Sequence, residues 1–402
     1  MLTTAGAVAS GKPSAFLTGV FCAFAGLLPI VGVVAPKGTV VLLLLTAVLA
    51  LPIHWWACRR FPVPDSRIAI ALALLVVWCA IASAWSEDST RSLVLSLRVA
   101  VILAAGLVLF PIAAALDDAA RKRIGHWLVA GFGLSLALVA AETGLDYPML
   151  RSFKSTEAGN EAVWFNRGAI ALALIVWPVT ALLWARGLRR KALALPVALA
   201  VASLSLESAA AILGLAAGVL TASLALSHRR AGFAITLAAC VLAFVAMPFA
   251  AREMHRHGWH QADWLAASAR HRIEIWSFSV ERIAENPVLG WGFDGSRHMQ
   301  ALYPDRSGTG RVLAALHPHS APLQIMLELG AVGAVIALAL LWLIAMRLDA
   351  ATGRTRVFGQ SLFVAALAIG AVAHGTWQNW WLALVVSVAL LVPLTASRRE
   401  RN

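Results

Sequence analysis

Residues 252–320 read REMHRHGWHQADWLAASARHRIEIWSFSVERIAENPVLGWGFDGSRHMQALYPDRSGTGRVLAALHPHS. This interval holds eight arginines (252, 256, 270, 272, 282, 297, 306 and 311), no lysine, and seven of the chain's eleven histidines. It is the only long interval that cannot sit in lipid. Around it the sequence is a succession of apolar runs. The 402 residues are 60% hydrophobic and 13% charged, where soluble domains run near ~25% charged. Mean hydropathy is +0.79. Runs of about 18–22 residues are what a ~30 Å hydrocarbon core demands. Only helices and closed barrels satisfy their backbone there. The runs are continuous, not alternating, so helices are expected. The reading is an all-α polytopic membrane protein.

Twelve transmembrane helices are expected, at 15–35, 39–57, 66–85, 92–115, 124–143, 167–185, 192–206, 208–227, 231–250, 321–346, 357–375 and 377–396. Residues 1–250 thus carry nine helices with a short loop at 144–166. Residues 251–320 form a large loop, and 321–402 carry the last three helices. Nineteen of the 33 Lys and Arg fall on one set of helix ends, from Lys12 and Arg59 through Arg186 to Arg401. That bias marks the cytoplasmic side. Both termini are therefore expected in the cytoplasm, and the loops 144–166 and 251–320 in the periplasm of a bacterial inner membrane. Merging 192–227 into one re-entrant unit would invert the second half and spoil the arginine pattern. The net charge of +13 is accounted for by these loops, so no nucleic-acid partner is expected. The first run ends in Ala35-Pro36, a poor cleavage context, so an uncleaved first helix is expected.

Several features have structural readings. Gly214 and Gly218 form a GxxxG suited to close helix packing. Trp55, Trp56, Trp85, Trp127, Trp177, Trp184, Trp377, Trp380 and Trp381 lie near helix ends, as an interfacial aromatic belt would place them. Glu142, Glu207 and His374 lie near outer helix ends, as functional groups or as interface groups. Cys22, Cys58, Cys79 and Cys240 show no metal or disulfide spacing.

Four segments could carry chemistry. Asn166-Arg167 opens the sixth helix, where an arginine and a helix N-terminus can hold phosphate, or where an arginine can simply snorkel. In 269–289, Ile273, Trp276, Val280 and Ile283 make a helical stripe. Arg272 and Trp276 share a face of that amphipathic helix, and Asn286-Pro287 ends it. Arg270 and Arg272 are either guanidinium forks for a diphosphate or a solvated face paired with Glu274 and Glu281. Gly290 to Gly295 matches GxGxxG, but it follows a helix and not a strand, so a glycine-rich turn is expected and not a nucleotide site. His317-Pro318-His319-Ser320 leads into the tenth helix. A histidine there can act as a general base near neutral pH. A metal site with His255, His257 and His260 is the alternative, but no HExxH and no carboxylate cluster accompany them.

Arg272, Trp276, Asn286-Pro287, Gly290-Trp291-Gly292, His319, Leu323-Gln324 and Glu328-Leu329-Gly330 occur in the order and spacing of one known pattern. Over these ~60 residues the chain resembles the bacterial O-antigen ligase/polymerase family of membrane glycosyltransferases. Ser320 stands where that family usually has Asn. The resemblance implies a membrane-embedded, GT-C-like helical fold with a large, partly helical periplasmic loop. It implies transfer of a polysaccharide from undecaprenyl diphosphate to a sugar hydroxyl of lipid A-core, in lipopolysaccharide biosynthesis. No metal, nucleotide or other cofactor is implied, because the diphosphate is itself the leaving group. On this reading Arg167, Arg270, Arg272, Asn166 and His317 bind the diphosphate. Arg272 and His319 are the catalytic pair, with His319 as base in a single inverting displacement. An O-antigen polymerase, with a lipid-linked repeat as acceptor, is the alternative. A flippase of lipid-linked sugars fits less well, because the polar residues gather at one face and no twofold repeat is seen.

Overall fold

The computed structural model describes residues 12–145, 151, 161–206, 208–299 and 317–396. Glu207, Arg306, Arg311, most of the 144–166 loop and Arg398, Arg399 and Arg401 lie outside the described residues. Among the described residues there are thirteen α-helices and no strand. They are α1 (Lys12–Val34), α2 (Gly38–Cys58), α3 (Ser66–Ala82), α4 (Ser89–Ala115), α5 (Asp118–Gly144), α6 (Glu161–Ala185), α7 (Arg189–Ser205), α8 (Ala209–Ser227), α9 (Arg229–Arg256), α10 (Ala267–Glu285), α11 (Ala321–Ala350), α12 (Gly353–Val372) and α13 (Asn379–Thr395). Each of the twelve apolar runs becomes one helix, and α10 is the amphipathic one. Among the described residues ten helices are, by length and composition, long and apolar enough to cross a membrane. The other two apolar ones, α7 and α13, have 17 residues each. The chain is a multi-pass membrane protein.

Helix starts follow local chemistry. Asp65, Asp88 and Asp117 cap α3, α4 and α5 by accepting from the backbone N–H of Arg67, Arg91 and Ala120 (3.0, 3.0 and 2.7 Å). Each satisfies a donor that the first helical turn leaves unpaired. Basic residues gather where several helices finish together. The buried Arg121 donates to the carbonyls of Leu116, Ala114 and Ala396, closing the ends of α4 and α13. Arg229 at the start of α9 bonds Asp349 near the end of α11 (2.9 and 3.1 Å).

Helix α6 is the axis of the bundle. Residues 168–182 are buried throughout, and α6 touches α1, α5, α7, α8, α12 and α13. A helix apolar on all sides is one wrapped by other helices. Gly214 and Gly218 do bring helices close. A β-carbon on Gly214 would lie 2.6 Å from Ile369 of α12, and one on Gly218 would lie 2.1 Å from Trp177 of α6. The belt reading needs correction. Trp55, Trp56, Trp85 and Trp127 are exposed, but Trp177, Trp377, Trp380 and Trp381 are buried. Trp377 packs edge-on to Phe293, and Trp380 and Trp381 pack against His374 at the start of α13.

Helix α11 is broken at Gly330 (φ 64°, ψ −163°). The break frees the carbonyls of Leu327 and Glu328 and the N–H groups of Ala331 and Val332 from their helical partners. Segment 287–292 takes all four. Trp291 and Gly292 donate to Leu327 O and Glu328 O (2.9 and 3.0 Å), and Ala331 and Val332 donate to Pro287 O and Val288 O (2.9 and 3.3 Å). Trp78 Nε1 adds a bond to Leu329 O (3.0 Å). Irregular backbone inside a membrane protein persists where protein groups satisfy it in this way. The contact is backbone on backbone: a β-carbon on Gly290 would lie 2.6 Å from Glu328 C, and one on Gly330 would lie 2.1 Å from Val288 O.

Candidate active site

The break presents Glu328, which is fully buried, to three segments at once. Its Oε1 accepts from Ser296 Oγ (2.6 Å) and Gln324 Nε2 (2.9 Å). Its Oε2 accepts from Asp294 N–H (3.0 Å) and Trp377 Nε1 (2.7 Å). Four donors are what a buried carboxylate needs. Gln324 Oε1 in turn accepts from Thr376 N–H (2.7 Å). One carboxylate thus joins the turn after α10, the first half of α11 and the link 373–378 before α13.

That link also fastens His319 and His317, which precede α11, through Ala373 O and Gln378. His319 has φ 54°, a left-handed backbone that costs a residue with a β-carbon energy unless its surroundings enforce it. Two bonds enforce it here. Trp276 of α10 donates to Pro318 O (2.9 Å), and His319 Nδ1 donates to Ala373 O (3.0 Å). The second bond sets the tautomer and leaves Nε2 as an unprotonated acceptor with no protein partner among the described residues. Burial lowers the pKa of His319; the Ala373 bond opposes this, while Arg272 and His271 add to it. His317 is held differently. Trp380 Nε1 donates to Gln378 Oε1 (2.7 Å), which turns the Gln378 amide N–H toward His317 Nε2 (2.6 Å). Burial first, then His319 and Arg297, bring the His317 pKa down to about 3. It is a neutral imidazole engaged with protein.

The arginines of the sequence reading separate. Arg272 is half-buried on α10, and no hydrogen bond or ion pair engages it among the described residues. Burial lowers its pKa. Arg270 sits beside Asp263 instead, at 3.5 Å. Arg167 lies with its guanidinium 5.3 Å from the centre of the Trp380 ring. Its expected place at a helix N-terminus is corrected: α6 starts at Glu161, so Arg167 lies past the first turn and the helix end adds nothing to its hold on an anion. Asn166 Oδ1 accepts from Ser208 Oγ (2.8 Å) and ties α6 to the start of α8. Arg167 and His374 meet on the Trp380 ring, His317 and His319 stand ring against ring at 4.3 Å, and Ala373, next to His374, holds His319; burial first, then His319, Arg167, His317 and Arg272, lower the pKa of His374. Among the described residues no group of three or more His, Cys, Asp or Glu is gathered to hold a metal; His255 stacks on His260 at 4.1 Å.

Glu328, Gln378 and the Ala373 carbonyl were not singled out from sequence. Glu328 stood only as a letter in a motif, and Gln378 and Ala373 carry no spacing signal at all.

A family model described as O-Antigen ligase matches residues 195–338. A Rickettsia felis protein named "Putative polysaccharide ligase" is 26% identical over 328 residues, covering 80% of this chain and 79% of its own length. Over this segment, and along most of its length against these relatives, the chain is similar to O-antigen ligase-type proteins. A Rickettsia bellii protein of the same name is 26% identical over 402 residues, covering 92% and 96%. A Rickettsia typhi relative is 28% identical over 236 residues, covering 57% and 58%. That similarity points to a glycosyl-transferring enzyme. The segment matched by the family contains Arg272, His317, His319 and Glu328. Arg167, His374, Gln378 and Trp380 lie outside it and reach the site only through the fold.

Proposed function

We propose that this protein is an O-antigen ligase of the bacterial inner membrane. It moves a polysaccharide from undecaprenyl diphosphate to a sugar hydroxyl of lipid A-core, at the periplasmic ends of its helices, with both termini in the cytoplasm. The observation that supports this best is Arg272, a half-buried cation with no counter-charge among the described residues, beside a histidine whose Nε2 has no partner among them. An uncompensated buried charge is costly unless an anion arrives to pair with it. Arg272 and Arg167 supply that pairing to the diphosphate, and a guanidinium binds phosphoryl oxygens two at a time. His319 Nε2 accepts the proton of the acceptor hydroxyl as its oxygen attacks the anomeric carbon. The bond from that carbon to the diphosphate breaks, and undecaprenyl diphosphate leaves with the electron pair. One in-line displacement inverts the anomeric centre. The donor supplies the driving force, so neither metal nor nucleotide enters.

The test uses Arg272→Ala and His319→Ala in a strain lacking the native protein. Capping of lipid A-core is read on lipopolysaccharide gels, and the membrane level of each variant is measured beside it. Each substitution abolishes capping at unchanged protein level; full capping by both overturns the proposal. A null strain that makes core plus one repeat, instead of bare core with polymerised lipid-linked glycan, identifies a polymerase. Transfer by purified protein in detergent, with chelator and no gradient, separates an enzyme from a flippase.

A further inference from the structure

His374 has no part in the chemistry above. It lies in the link between α12 and α13. Its ring stands edge-on to Trp380 (centroids 4.7 Å, 79°) and tilted against Trp381 (5.5 Å). Arg167 lies over the same Trp380 ring, and the residue before His374 holds His319 through its carbonyl. The imidazole therefore sits beside both the arginine and the base. Its Nε2 is buried and has no hydrogen-bond partner among the described residues. Buried polar atoms in native proteins are nearly always satisfied, and one that is not calls for an explanation. Ser320 Oγ and Asn379 Oδ1, from the two segments that build the site, are also buried without partners among the described residues. Burial first, then His319, Arg167, His317 and Arg272, lower the pKa of His374 to about 3. A neutral imidazole adds no third positive charge beside two guanidiniums. It adds one N–H of fixed direction.

We infer that His374 is a third ligand of the lipid-linked diphosphate, donating a ring N–H to a phosphoryl oxygen held by Arg167 and Arg272. This rests on the diphosphate-donor reading given above. A histidine that merely spaced the two tryptophans would be replaceable by any ring of its size, and that difference decides the test.

The full chain in detergent is titrated with undecaprenyl diphosphate, with binding read from tryptophan fluorescence. His374→Phe keeps the ring and removes the N–H; His374→Gln keeps an N–H donor. Binding weakens by about 10-fold or more in the Phe variant, as expected for one charge-assisted hydrogen bond. The Gln variant recovers most of it. Where the Phe variant is not recovered folded, His374→Met replaces it. Unchanged affinity in the Phe or Met variant, with Arg272→Ala weakened in the same titration, overturns this inference alone. No binding by the wild-type chain overturns the diphosphate reading and this inference with it.

Discussion

Arg272 owes its candidacy to a missing partner. Glu274 and Glu281 share its helix and offered a surface-pair explanation, yet it stays half-buried without a counter-charge among the described residues, while Arg270 two residues away faces Asp263. His319 owes its role to a bond on the other nitrogen, since Ala373 O takes Nδ1–H and so frees Nε2. The pH dependence follows from its environment. The base acts only when neutral, and its pKa is lowered by burial with help from Arg272. Activity is therefore lost on acidification below the ordinary ~6.5 of a histidine, not at it. The acid limb of kcat/KM is expected below that value in wild type. Arg272→Lys keeps the neighbouring positive charge, so in that variant the limb stays where it is in wild type. A wild-type limb above 6.5 counts against His319 as the base. His319 and Arg272 were legible in sequence because they fall in a spaced pattern. His374 was legible only as a polar residue near a helix end, and its orphaned nitrogen is a property of packing.

The elements show why separate motifs travel together. Asn286-Pro287, Gly290-Trp291-Gly292 and Glu328-Leu329-Gly330 form one device, in which a glycine-rich turn satisfies a broken helix and the break delivers Glu328 to the site. The sequence reading of 290–295 as a turn and not a nucleotide loop agrees with this. It did not foresee that the turn's partner is the middle of a membrane helix. Gly330→Ala and Gly290→Ala each add a β-carbon at positive φ and against backbone. The strain alone is worth about 1–3 kcal/mol, and neither main chain can move aside without giving up the bonds at the break. Both variants are expected to melt several degrees below wild type in detergent. Gly133→Ala on α5, where a β-carbon meets nothing within 4 Å, is expected to melt no lower than wild type. Equal melting of Gly330→Ala and wild type would show that the break is not needed.

At the scale of the whole molecule, the proposed orientation is testable. With the four native cysteines replaced, Ala267→Cys on α10 is expected to react with an impermeant thiol reagent added outside the inner membrane. Arg190→Cys on α7 is expected to react only after that membrane is opened, and the reverse pattern refutes the orientation. The sequence by itself determined where the apolar helices are, that a polar amphipathic helix interrupts them, and that basic residues mark alternate helix ends. Each is a property of consecutive residues, because lipid and water act on every segment separately. Only the tertiary structure decided which tryptophans are core and which face outward, and that Arg167 lies on Trp380, 213 positions along the chain. It also decided that Glu328 collects its donors from Ser296, Gln324, Asp294 and Trp377. Contacts of that kind depend on how helices pack around α6 and across the break in α11, and no run of neighbouring residues encodes them.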